Sequence, residues 1–176
     1  GSSTGSGGGL PTWSAEPLAT WSPAVEREPT VVLGLSTFGY PGMTPLLQRL
    51  VDATEGLPAR VLVSTGPLVD PAAIRARPGV EVHRWLPHHE TLPGASVLVT
   101  HGGHGSTMAG LAHDLPLLVV PLDGKADHRF VGRSIEAAGA GRVVPRRAPV
   151  GRLHEALRSL VEEPSYLGAL QAWSVC

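Results

Sequence analysis

The chain has 176 residues, 42% apolar and 16% charged, with 14 basic against 15 acidic side chains and a formal charge of −1. That is one domain's worth of polypeptide with ample material for a hydrophobic core, which excludes a largely disordered chain. The absence of a dense Lys/Arg stripe excludes a nucleic-acid polymer or an anionic membrane as the main partner and leaves room for a small, locally bound anion.

Residues Gly1 to Gly9 are all Gly, Ser and Thr and read as a flexible linker or a cloning remnant. Leu10 to Pro29 carries four prolines and two of the four tryptophans, so an irregular lead-in segment is expected there. From Thr30 apolar runs alternate with helix-period segments, the signature of a parallel sheet wound with helices. Thr30–Ser36 is the first strand, and Thr44–Ala53 places Leu46, Leu47, Leu50 and Val51 on one helical face. Arg60–Ser64 is a strand, Pro71–Arg77 a short helix with proline in its favoured first turn, and Val80–His83 a third strand giving way to a loop at Trp85-Leu86-Pro87. Ser96–Thr100 is a strand and Ser106–His113 its helix, with Met108, Leu111 and Ala112 expected to face inward. Pro116–Pro121 is an unbroken apolar run between prolines, read as a buried strand. A helix from Asp127 to Ala138 stops at Gly139, Gly141–Val144 is a short strand, and Arg152–Val161 repeats a core spacing. No stretch approaches the roughly 20 apolar residues of a membrane span. No signal-peptide pattern precedes the fold, and the one cysteine, Cys176, cannot form an internal disulfide, so a cytoplasmic location is expected.

The most informative stretch is Thr100-His-Gly-Gly-His-Gly-Ser-Thr107. A buried strand runs into a glycine-rich turn that opens a helix, where unpaired amide N–H groups face outward and small residues admit a ligand closely. A phosphate or diphosphate suits such a place. In an open α/β sheet, functional residues gather at the carboxyl ends of the strands. Four loops lie there: Ser36 to Gly42, Trp85 to Glu90, His101 to Thr107 and Asp123 to His128. Trp85 could stack on a base, the glycine turn could hold phosphates, and Asp127 with His128 could bond sugar hydroxyls. Singly, each has a structural reading: Trp85 as packing, His101 as a helix-entry histidine, and Asp127 as a helix cap. Their convergence on one ligand, part aromatic, part anionic and part polyhydroxyl, favours the functional reading.

Competing motifs fail on single residues. A dinucleotide fingerprint after Gly103 and Gly105 needs glycine where Met108 stands. A P-loop needs glycine at Val119 and a hydroxyl at Ala126, and a nucleophile elbow needs glycine at His104 and Met108 around Ser106. The histidines at 83, 88, 89, 101, 104 and 113 hold no i, i+4 pair, and no D-x-D exists to seat a divalent ion, so no metal site is expected. Arg146 and Arg147 read as a solvated loop.

Five blocks then occur in order: Arg84-Trp-Leu-Pro-His-His-Glu90, Val97 through the His101–Thr107 turn to His113, Pro116-Leu-Leu-Val-Val-Pro-Leu122, Ala126-Asp-His128, and Gly139-Ala-Gly-Arg142. Together they resemble the C-terminal, donor-binding half of GT-B-fold nucleotide-sugar glycosyltransferases. They are most similar to the bacterial natural-product subgroup acting on macrolides, enediynes and aromatic polyketides. The resemblance covers Thr30 to about Leu170. It implies a Rossmann-like α/β fold over 30–176, with no N-terminal acceptor domain in this chain.

The resemblance also implies roles. Trp85, Leu86 and His88 match the nucleobase positions. His101, Gly103, Gly105, Ser106 and Thr107, with Ser36 and Thr37 of the first loop, match the diphosphate positions. Asp127 and His128 match the pair that binds the transferred sugar. Departures are His128 where glutamine is usual, Val131 where asparagine is common, a slightly longer Leu122–Ala126, and Ala109 where plant relatives carry a ribose-binding glutamate. The implied reaction is inverting and metal-independent, moving a (deoxy)sugar from a dTDP- or UDP-sugar substrate, with no cofactor, to a hydroxyl of a natural-product acceptor held by the absent N-terminal half. That half would carry the general base, so this chain is expected to hold no catalytic residue, to bind donor and not to transfer sugar alone. An apolar face left open by the missing half makes a homo-oligomer conceivable. The alternative is a catalytically silent nucleotide-binding or interaction module on the same fold.

Overall fold

The structure is a computed structural model that describes residues 28–123 and 127–173. The expected linker, nearly all of the lead-in segment, residues 124–126 of the loop expected to be longer than usual, and Cys176 lie outside the described residues. Six strands, β1 (Thr30–Gly34), β2 (Arg60–Ser64), β3 (Val80–His83), β4 (Val97–Thr100), β5 (Leu117–Val119) and β6 (Gly141–Val143), form one parallel sheet in the order β3-β2-β1-β4-β5-β6. Val31 lies opposite Val61 on one side and Val97 on the other. The chain therefore winds outward in one direction from β1 and then, from β4, in the other. Between β1 and β4 the two loops leave toward opposite faces and open a crevice at the carboxyl ends.

Helices cover both faces: α1 (Met43–Ala53), α2 (His88–Thr91), α3 (His104–Ala112), α4 (His128–Ala137), α5 (Val150–Glu162) and α6 (Ser165–Trp173). Strand residues alternate between two cores. Val31, Leu33, Val61, Val63, Val97, Val99 and Leu118 pack against α1 and α5 through Leu46, Leu47, Leu50, Leu153, Leu157 and Leu160. Val32, Leu98, Leu117 and Val119 face the other way, onto Ile135 of α4 and Leu170 of α6.

The structure departs from the sequence reading at named places. β1 ends at Gly34, two residues short of Ser36, because the chain turns into the crevice there. Over Pro71–Arg77 only one tight turn, Pro71–Ala73, forms; Asp70 caps it by accepting from the Ala72 amide, and Ile74 is already extended. Helix α2, a further tight turn at Leu92–Gly94, and α6 were not anticipated. Helix α3 begins at His104, and its inward positions are Thr107 and Gly110. Met108 is 51% exposed and Ala112 is exposed, against the expectation, while Leu111 is half-buried and packs against the core as expected. Close approach sets the phase: a Cβ at Gly110 would lie 2.6 Å from Leu117 Cδ2 and 2.9 Å from Leu98 Cδ2. The helix brings its backbone close to β4 and β5 at Gly110, with Leu111 packing beside it. Arg146 is also no solvated side chain, since its guanidinium donates to the carbonyls of Pro41 and Leu122 and ties two crevice loops together.

Candidate functional site

At the switch between β1 and β4 lies a cleft of about 370 Å³, lined among others by Ser36, Thr37, Trp85, Leu86, His88 and His101. Gly103, Gly105 and Ser106 complete its helix-side wall. A nucleotide-sized ligand needs a volume of this order. Three loops that are far apart in sequence converge because each follows a strand whose carboxyl end points the same way. Leu86 is buried and anchors its loop, leaving Trp85 61% exposed at the mouth. An apolar ring held open to solvent beside a cleft suits a flat ligand.

His101 leaves β4, and its imidazole folds over Gly103: a Cβ there would lie 2.5 Å from both Cε1 and Nε2. Gly103, at the N-cap of α3, thus makes the space the ring occupies, while its φ of −64 is open to any residue. Gly102 does need glycine's freedom, since it turns at φ +89 with the His128 carbonyl oxygen 3.0 Å from where a Cβ would sit. No side chain caps α3, so its first amides stay available to a ligand. A Cβ at Gly105 would meet nothing within 4 Å, which is open space above that helix end.

Burial first, and then the neighbouring His128, hold the His101 pKa below the ordinary histidine value, with the Leu35 backbone and Asp123 pulling the other way. His88 is also lowered, by burial and then by His113. In the free protein both rings are thereby biased toward the neutral form.

Three residues that the sequence singled out do not line this cleft. The Thr107 hydroxyl is buried and has no hydrogen-bond partner. Asp127 stands exposed at the N-cap of α4, and its carboxylate makes no capping hydrogen bond. His128 is buried, packed edge-on against His101 with ring centroids 4.7 Å apart. The lining also includes Phe38, Ser64 and His104, which sequence reasoning had not assigned. His104 lies within the glycine turn that the sequence singled out but was given no role of its own, and Ser64 was visible only as the end of a strand.

Residues 48–173 match the family model described as the C-terminal domain of erythromycin biosynthesis protein CIII-like proteins. The L-demethylnoviosyl transferase of Streptomyces niveus is 34% identical over 140 residues, 78% of this chain and 34% of that protein. Among solved structures, the glycosyltransferase of kitacinnamycin aligns with a TM-score of 0.74 at 25% identity, covering 93% of this chain and 42% of that one. The glycosyltransferase VinC in complex with dTDP aligns at 0.72 and 26% identity over 85% and 37% of the two chains. The fold is that of the C-terminal domain of GT-B glycosyltransferases, as the resemblance implied. The chain spans about a third of the length of the curated relatives it matches.

Proposed function

This chain belongs to the erythromycin biosynthesis protein CIII-like C-terminal domain family, and from that premise we propose that it is the donor-binding domain of an inverting, metal-independent glycosyltransferase. The donor is a nucleoside diphosphate sugar, and a preceding domain would present the hydroxyl of a natural-product acceptor. One observation carries the reading: an exposed tryptophan, a histidine and the uncapped start of α3 line one cleft at the sheet's switch point.

The base stacks on Trp85, with Leu86 and His88 beside its edge. The diphosphate lies against His101, the Gly103–Ser106 backbone and the Ser36 and Thr37 hydroxyls. Asp127 is the side chain turned out toward solvent at the start of α4, where the sugar would extend. In the transfer, the acceptor oxygen bonds to the anomeric carbon from the face opposite the diphosphate as the anomeric carbon–oxygen bond to that diphosphate breaks. The acceptor's proton passes to a base in the other domain. Negative charge then builds on the leaving diphosphate, where the partial positive end of α3 and His101 stabilise it. VinC's complex with dTDP supports thymidine as the nucleoside.

Calorimetric titration with dTDP and UDP tests this. Saturable binding is expected, and His101→Ala should weaken it about tenfold or more, the worth of a charge-assisted hydrogen bond. No saturable heat with either nucleotide favours the silent-module alternative. Glycoside product made by this chain alone would overturn the donor-only role.

A further inference from the structure

One lip of the cleft is the loop between β1 and α1, where Ser36, Thr37 and Phe38 line the opening. The Ser36 hydroxyl oxygen accepts from the Phe38 amide at 3.0 Å, which leaves its own proton to donate. The Tyr40 amide meets Met43 Sδ at 3.4 Å. Both bonds stay within the loop and the first turn of α1. The bond at Pro41 is different: its carbonyl accepts from the guanidinium of Arg146, 105 residues away on the β6–α5 loop, and the same guanidinium donates to the Leu122 carbonyl after β5. Gly42 makes room for this bridge, since a Cβ there would lie 3.2 Å from Arg146 Nη2. The bridge is itself braced, because Arg49 of α1 donates to the carbonyls of Arg146 and, at 3.2 Å, of Ala148. Three strand-to-helix connections thus meet on two arginines.

Arg146 is not among the residues that line the cleft, so any part it has in binding runs through the loops it joins. We propose that Arg146 is a positioning residue for the donor: by bridging Pro41 and Leu122 it holds the β1–α1 loop where the Ser36 and Thr37 hydroxyls meet a diphosphate. This rests on the reading of the cleft as a diphosphate site. None of residues 36–42 is fully buried, so packing alone does not fix the loop. Without the bridge, Ser36 and Thr37 become ordered only on meeting the ligand, and the entropy lost at that moment weakens binding. A planar guanidinium reaches two carbonyls at once in a fixed fork, whereas an ammonium is a point charge on a flexible stem. The role is therefore one of span and not of charge. Trp85 stands on the β3–α2 connection, outside the three that the arginines join. Loss of the bridge thus spares the base and falls on the phosphate contacts.

Calorimetric titration of the full chain with dTDP and with dTMP, which keeps the base and ribose unit but lacks the outer phosphate, tests this. Arg146→Met should raise the Kd for dTDP about tenfold, the worth of a charge-assisted hydrogen bond, and that for dTMP by less than about threefold. Equal losses for the two ligands would mark general structural damage and overturn the inference. Arg146→Lys keeps the charge and loses the span, so its dTDP affinity should stay near that of Arg146→Met; full recovery by lysine would make the contribution electrostatic and overturn the inference as well. Thr37→Ala should weaken dTDP in the unaltered chain and add nothing in either Arg146 variant, where the hydroxyl is already misplaced. Additive losses would show that Arg146 does not act through this loop. If Arg146→Met fails to fold, Arg146→Lys carries the same comparisons. Unchanged dTDP affinity in the Arg146 variants overturns the inference and leaves the cleft reading intact, while absence of dTDP binding by the unaltered chain overturns both together.

Discussion

The two faces of the sheet are built on different principles. On one, α1 and α5 pack by large side chains: Leu46, Leu47, Leu50, Leu153 and Leu157 are essentially fully buried. On the other, α3 and α4 press their backbones onto the strands through glycine. A Cβ at Gly110 would collide with Leu117 and Leu98, and one at Gly132 would lie 2.9 Å from Val143 Cγ2. The glycine-packed face is the one whose helix starts border the candidate ligand region. Bringing α3 close to β4 and β5 sets its first turn beside the crevice. Large side chains fill one face, and on the other close backbone approach brings the start of α3 to the cleft.

Substitutions can break this contrast in order of size. Leu157→Ala on α5 should cost about 2–5 kcal/mol in urea unfolding, because it empties a fully buried site, and should leave dTDP affinity unchanged at temperatures where the chain stays folded. Gly110→Val should cost about 1–3 kcal/mol through overpacking against Leu117 and Leu98. It should also weaken dTDP as α3 lifts from the sheet; a loss of stability at full affinity would refute the link between close packing and the site. Gly103→Ala separates the two effects. Its backbone needs no glycine, so the melting temperature should hold, yet the new methyl displaces the His101 ring and dTDP affinity should fall about tenfold.

The smallest effect is on pH dependence. His101 and His88 have folded-state pKa values below the ordinary histidine value, so the unfolded chain binds more protons in that interval. Their contribution is intact above about pH 6.5 and is lost as the pH falls through the lowered values. The urea midpoint should therefore decline on acidification, and His88→Asn should flatten the decline. A midpoint that rises on acidification in the unaltered chain would contradict the sign.

Much of the leucine-packed face was legible as periodicity, because α1 and α5 carry apolar residues at helical spacing and burial follows spacing. The face of α3 was misread at Met108 and Ala112, though not at Leu111, for the converse reason. Met108, Leu111 and Ala112 looked like a core stripe, but Gly110 has no side chain to signal that the closest contact lies there. The tight turn at Pro71–Ala73 stayed short although proline favours a helical start, since Ile74 is drawn out of the turn and buried in the leucine-rich core. Arg146 looked solvated because charge alone cannot show that the Pro41 and Leu122 carbonyls lie within its reach.

By itself the sequence determined the alternation of strands and helices, the glycine turn after β4, and the loops carrying Trp85 and His101, because hydrophobic period and turn chemistry are local properties. Only the tertiary structure decided which of those residues share a cleft and that His128 turns inward against His101. Strand order and the close approach of glycines bring together groups that are distant along the chain, and no local pattern encodes a distance between such groups.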